Sequence, residues 1–114
     1  MVNVTNVFTF KAIATDKQLV SQKYDNAHAE GYFSAQLTIH SGTGTLTLSA
    51  ELSNNGVDFM VPTGESAIGS LTNVGGPDEN GKDIFEFSTI LSQYIRYKVV
   101  STGNIVFSLW IARQ

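Results

Sequence analysis

The side chains here with the clearest capacity for chemistry are two histidines, His28 and His40, the carboxylates Glu30, Glu51, Asp58, Glu65 and Glu86, and an acidic loop, Asp78-Glu79-Asn80-Gly81-Lys82-Asp83. Acid–base work by paired carboxylates needs two of them in one cleft. These five fall on different predicted elements. A zinc site needs ligands at short, regular spacing, and neither histidine has one: His28 sits in a connector and His40 on the outward side of a strand, so both read as surface residues. The acidic loop lacks the alternating oxygen ligands and closing bidentate Glu of an EF-hand. No Gly-x-Ser-x-Gly elbow surrounds a serine. Gly75-Gly76-Pro77 does not open a helix as a phosphate-cradling loop would. Without cysteine there is no disulfide, thiolate ligand or thiol nucleophile. The expectation is a protein that is not an enzyme, with no cofactor and no metal.

Aromatic side chains on outward faces are the second candidate. Tyr32, Tyr94 and Trp110 alternate away from the apolar side of their segments and offer either stacking surfaces for sugar rings or a dry patch for another subunit. A covering loop or N-terminal arm would remove both uses. The segment Ile105–Ala112 sharpens the question. Ile105, Phe107, Leu109 and Ile111 form one apolar face, and Val106, Trp110 and Ala112 make the other apolar as well. Cover for that second face must come from within the chain or from another one. Trp110, Val106, Tyr94 and Tyr32 are therefore the candidate interface residues, and a homo-oligomer, most simply a closed cyclic one, is expected.

These residues must be positioned by strands. Gly44–Pro62 carries the strongest pattern: Leu46, Leu48, Ala50 and Leu52 alternate with polar residues, and Asn55-Gly56 supplies a two-residue type I′ turn. That turn sets Ser53 opposite Asp58, Leu52 opposite Phe59 and Ala50 opposite Val61. Tyr32–Ser41 alternates with Phe33, Ala35, Leu37 and Ile39 inward, and Gly42-Thr43-Gly44 is expected to join it to this hairpin as a three-stranded meander. Val7–Ala14 reads as a first strand with Phe8, Phe10, Ala12 and Ala14 on one side, preceded by a short arm over residues 1–5. An edge strand is expected near Gln18–Ser21, then a connector over Asp25–Gly31. Thr63–Asp83 is a long, turn-rich segment in which only Ala67–Leu71 suits a strand, and a segment of that kind is usually a functional or interface loop. Ile84–Ile90, with Phe85 and Phe87 inward, and Gln93–Val100, with Ile95, Tyr97 and Val99 inward, complete the set.

Seven to nine short strands, no helix and frequent turn signals predict an all-β, two-sheet antiparallel sandwich of the jelly-roll kind, formed as a single domain over 1–114. Its 114 residues suffice for one hydrophobic core. A net charge of -3 leaves no clustered Lys and Arg for phosphate contacts, which argues against nucleic acid as a partner. The first residues, MVNVTNVFTF, lack a basic region followed by an apolar run, and no apolar stretch is long enough to span a membrane. Synthesis in the cytoplasm without a signal peptide is expected, and Asn3-Val4-Thr5 reads as a chance glycosylation sequon.

Ser53-Asn54-Asn55-Gly56-Val57-Asp58-Phe59, followed by Leu91-Ser92-Gln93-Tyr94-Ile95-Arg96-Tyr97-Lys98-Val99 and Leu109-Trp110-Ile111-Ala112, resembles a pattern in small β-sandwich virion-associated proteins of tailed bacteriophages. More loosely, it is similar to discoidin-like jelly rolls. The resemblance spans about residues 32–112 and hands over no catalytic residue. It implies a capsid-decorating, neck or appendage component located in the virion and contacting copies of itself and other virion proteins. The alternative is a carbohydrate-binding sandwich that recognises surface glycans through its outward aromatics.

Overall fold

A computed structural model describes residues 2–26 and 31–114; His28 and Glu30 lie outside the described residues. Among them the chain forms β1 (Asn3–Ile13), β2 (Gln18–Val20), β3 (Tyr24–Asp25), β4 (Tyr32–Gly42), β5 (Thr45–Ser53), β6 (Gly69–Thr72), β7 (Lys82–Ser88), β8 (Tyr94–Ser101) and β9 (Ile105–Arg113), with no helix. One sheet runs β1-β9-β4-β7 and the other β2-β8-β5-β6, with β3 continuing β2 along β8. All pairings are antiparallel. The chain changes sheet at each connection except β2–β3 and β5–β6, tracing the two interlocked Greek keys of a jelly roll, so the all-β sandwich expected from the sequence is the fold.

The core is where the two inner faces meet. Phe33, Ala35, Leu37 and Ile39 from β4, Leu46, Leu48 and Leu52 from β5, Ile95, Tyr97 and Val99 from β8, and Ile105, Phe107, Leu109 and Ile111 from β9 are all buried. These are the inward residues the alternation assigns. Burial of each large apolar side chain contributes about 1.5–3 kcal/mol. Phe85 and Phe87 pack against this core from the edge strand β7.

Three expectations about connectivity are corrected. First, β4 and β5 are not paired: Gly42-Thr43-Gly44 carries the chain from one sheet to the other, so the meander does not form. Their partners are the C-terminal strands β9 and β8, which local turn chemistry does not reveal.

Second, the type I′ hairpin is absent. Leu52 pairs with Met60 through an isolated bridge, with Leu52 N–H on the Met60 carbonyl at 2.8 Å and the reverse bond at 3.1 Å. That is one residue beyond the Leu52–Phe59 register. The reason is side-chain competition for the backbone. Ser53 Oγ accepts the Gly56 N–H, and Asn55 Oδ1 accepts those of Val57 and Asp58, all at 2.9 Å. The loop is closed by these bonds instead of by a two-residue turn, and only Gly56 adopts a positive φ, 77°.

Third, the first strand starts earlier and does not alternate cleanly. Asn3, Val4 and Thr5 pair with Arg113, Ala112 and Ile111, so most of the expected arm is strand. Register shifts between Asn6 and Phe8 and between Phe8 and Lys11 then break the parity. Asn6 Nδ2 fills the first by donating to the Phe8 and Leu109 carbonyls. Val7 and Phe8 both reach the core, Ile13 is buried, and Phe10 is turned outward with φ 44°.

Candidate functional site

The outer faces of the two sheets differ in chemistry. On the β5–β8 sheet, Glu51 stands opposite Arg96 and accepts from its Nε at 2.7 Å, with Lys98 Nζ 3.9 Å away. The Arg96 guanidinium also lies 4.3 Å from the centre of the Phe59 ring. Charges here are mutually satisfied.

On the β1-β9-β4-β7 sheet the outer face is largely uncharged, apart from Lys82 and Glu86 on the edge strand β7. Asn6, Trp110, Gln36 and Ile84 are cross-strand neighbours and make one row across all four strands. Trp110 is 42% exposed and Ile84 62%, and Val4 and Phe10 are more exposed than Trp110. Phe10 lies flat against His40, centroids 3.8 Å apart and planes 12° apart. His40 Nε2 is 2.8 Å from Ser108 Oγ, which also accepts the Phe10 N–H at 3.0 Å. The outward turn of Phe10 is thus held by a specific stack and a specific hydrogen bond. Left-handed backbone at a non-glycine residue is costly, and positions that bear such a cost cluster at functional surfaces.

The four candidate interface residues do not converge. Trp110, Val106 and Tyr32 lie on this uncharged face, Tyr32 at its end and 70% exposed, and Val106 half-buried between Ala12 and Ser41. Tyr94 belongs to the other sheet, beside Gly56 and with Lys23 Nζ 5.0 Å from its ring centre. Alternation assigned each to an outward side; which sheet that side belonged to depended on pairing.

A further feature escaped the sequence. Glu65 and Glu86, which had appeared scattered, reach one cleft of about 300 Å³ at the side of the sandwich. It lies between the β5–β6 connection and the end of β7, and Leu52, Ile68 and Phe87 form its apolar lining. Both glutamates are exposed. Among the described residues, no group of three or more His, Asp or Glu side chains could hold a metal ion.

No protein-family model matches this chain, and no curated protein is similar to it in sequence. Its fold is similar to that of the SPBc2 prophage-derived protein YomS, with a TM-score of 0.55 at 15% identity over 100% of this chain and 96% of that one. Weaker likenesses include a family 6 carbohydrate-binding module, with TM-score 0.48, 12% identity and coverage of 96% and 83%. Another is the CBM22-1 xylan-binding domain of Paenibacillus barcinonensis Xyn10C, with TM-score 0.47, 14% identity and coverage of 96% and 84%. At such identities the likeness is one of fold.

Proposed function

We propose that this protein is a non-enzymatic structural component of a bacteriophage particle, a decoration, neck or appendage protein that works by covering its uncharged sheet face with other virion proteins or with copies of itself. The observation that carries this reading is Trp110, 42% exposed in the middle of a four-stranded sheet, with Ile84 and Phe10 exposed on the same face. An indole in water on a face that also exposes Val4, Phe10 and Ile84 is a surface suited to a partner. Support also comes from the motif resemblance to virion-associated sandwiches and from the fold shared, end to end, with a prophage-derived protein. Mass spectrometry of purified particles from the source is the test: the chain should be present at a fixed copy number per particle, and its absence from particles refutes the proposal.

The second reading rests on Trp110 and its cross-strand neighbour Gln36. An exposed indole next to an amide that has no side-chain hydrogen bond among the described residues can stack on a sugar ring and hydrogen-bond its hydroxyls. Calorimetric titration with bacterial surface glycans tests it, and a Trp110→Ala variant must lose any binding found.

A further inference from the structure

We infer that the β7 edge and its adjoining cleft form a second docking site, which accepts an extended basic segment of another protein as an added strand. It goes beyond the function proposed above and does not depend on the Trp110 face.

Of the four sheet edges, three are blunted. β1 carries two register shifts, β2 is three residues long and β6 four. Bulges and short strands are the usual protections against strand addition. β7 pairs with β4 without a shift over its seven residues.

Its hydrogen-bonding direction follows from two bonds. The Gly81 carbonyl accepts the Ile39 N–H at 2.8 Å, so residue 81 faces β4. The Ile84 N–H instead bonds Asp83 Oδ1 at 2.8 Å. Antiparallel ladders alternate residue by residue, so Phe85 and Phe87 turn their backbone groups to β4 while Ile84, Glu86 and Ser88 turn theirs outward. The start of this edge is occupied, because the Lys82 carbonyl abuts Gly76 and Asp83 caps Ile84. What remains open is Glu86 and Ser88. Among the described residues no backbone group bonds to them from that side. Both residues line the cleft.

The cleft specifies what can enter. Leu52, Ile68 and Phe87 can take an aliphatic side chain, while most of the cleft's exposed lining is polar. Its charged lining residues are Glu65 and Glu86, with no Lys, Arg or His among them. Neither carboxylate has an ion pair or side-chain hydrogen bond among the described residues, in contrast to Glu51 with Arg96 and Lys98. A second β7 fits poorly, because a two-fold centred on the open stretch sets Glu86 against Ser88 of its copy and gathers Glu65 and Glu86 of both chains at one seam with no counter-charge from the cleft lining. A heterologous strand with alternating aliphatic and Lys or Arg side chains satisfies the open backbone groups, the apolar lining and both carboxylates together. Strand addition of this kind takes affinity from main-chain bonds and specificity from pockets for alternate side chains.

The test uses the full chain, labelled with nitrogen-15, and three synthetic peptides: acetyl-Lys-Val-Lys-Val-Lys-Val-amide, its Glu-for-Lys counterpart, and the Lys peptide N-methylated at alternate residues. The Lys peptide should give saturable amide shifts at Glu86, Ser88 and residues 65–68, and the other two should not. Glu86→Lys should weaken Lys-peptide binding about tenfold by charge reversal, and with Glu65→Lys added the preference should pass to the Glu peptide. Both sites are exposed, so the fold should be retained, as the dispersion of the remaining amides will show. Absence of Lys-peptide binding overturns the inference. So do shifts confined to another surface, undiminished binding of the N-methylated peptide, indifference to Glu86→Lys, or concentration-dependent shifts at the same amides without peptide, which identify a second copy as the occupant.

Discussion

Gly69 of β6 and the ring of Phe85 on β7 meet across the side of the sandwich so closely that a Cβ on Gly69 would lie 2.5 Å from Phe85 Cδ1. This contact draws the edges of the two sheets together, and the cleft opens beside it, where the β5–β6 connection and the end of β7 separate. Gly69→Val should force the ring aside and cost about 1–3 kcal/mol as overpacking does. Chemical denaturation gives the stability change. An unchanged midpoint would mean the edges are not held by this contact.

The loop after β5 is predicted to depend on side chains. Ser53→Ala and Asn55→Ala each remove an acceptor from backbone N–H groups and should cost about 1–2 kcal/mol. Gly56→Val should cost about 1–3 kcal/mol, because φ is 77° there and a Cβ would crowd Lys23 and Tyr94. A two-residue hairpin turn would instead leave Ser53→Ala silent in thermal melts.

Leu52 and Phe59, which the hairpin register made a buried pair, should behave differently. Leu52 is 5% exposed and its truncation to Ala should cost about 2–5 kcal/mol. Phe59 is half-buried under the Arg96 guanidinium, so Phe59→Ala should cost only about 1 kcal/mol, mainly the cation–π contact. Equal losses in urea titrations would restore the hairpin.

Trp110→Ser should leave monomer stability within about 1 kcal/mol, since the indole faces outward. It should abolish any homo-oligomer built on that face. Light scattering coupled to size exclusion reads this directly: a native monomer at tens of micromolar, or a variant that keeps the native assembly mass, rules out self-association through Trp110.

Alkaline stability should depend on Tyr97. Burial pushes its phenol well above the ordinary tyrosine range, with nearby Arg113 opposing and Tyr24 adding to the effect. The unfolded chain releases this proton at about pH 10, whereas the folded one retains it. The stabilisation is therefore complete below about pH 10 and falls as pH rises further, by at most about 1.4 kcal/mol per pH unit. Denaturation midpoints followed through this range should fall more shallowly in Tyr97→Phe. Parallel pH profiles would show that other groups govern the loss.

How much of this was legible in the sequence depended on whether a segment kept its parity. Ile95, Tyr97 and Val99, and Ile105, Phe107, Leu109 and Ile111, belong to inner strands with one face on the core, so alternation gave their burial directly. Around Phe8 and Phe10 it failed because two bulges each displace the period by one residue, and the side chains of Asn6 and Ser108 that accommodate them carry no local signature. Partners were hidden for a different reason. Turn residues at Gly42–Gly44 report that the chain reverses, not that it changes sheets. Glu65 and Glu86 looked unrelated because their cleft exists only once the two sheets have closed on each other.

The strand order also constrains when this protein can fold during its synthesis. β8 lies between β2 and β5, and β9 lies between β1 and β4, so the two strands of this fold that come latest in the chain are each an inner strand, one in either sheet. Until residues 94–113 have left the ribosome, β1 and β4 have no common neighbour and β5 has only four-residue β6 to pair with. The nascent chain must wait with Leu46, Leu48 and Phe33 uncovered. Its exposure to chaperones and to misassociation is thus set by the time taken to translate through residue 113, and it ends as β9 inserts.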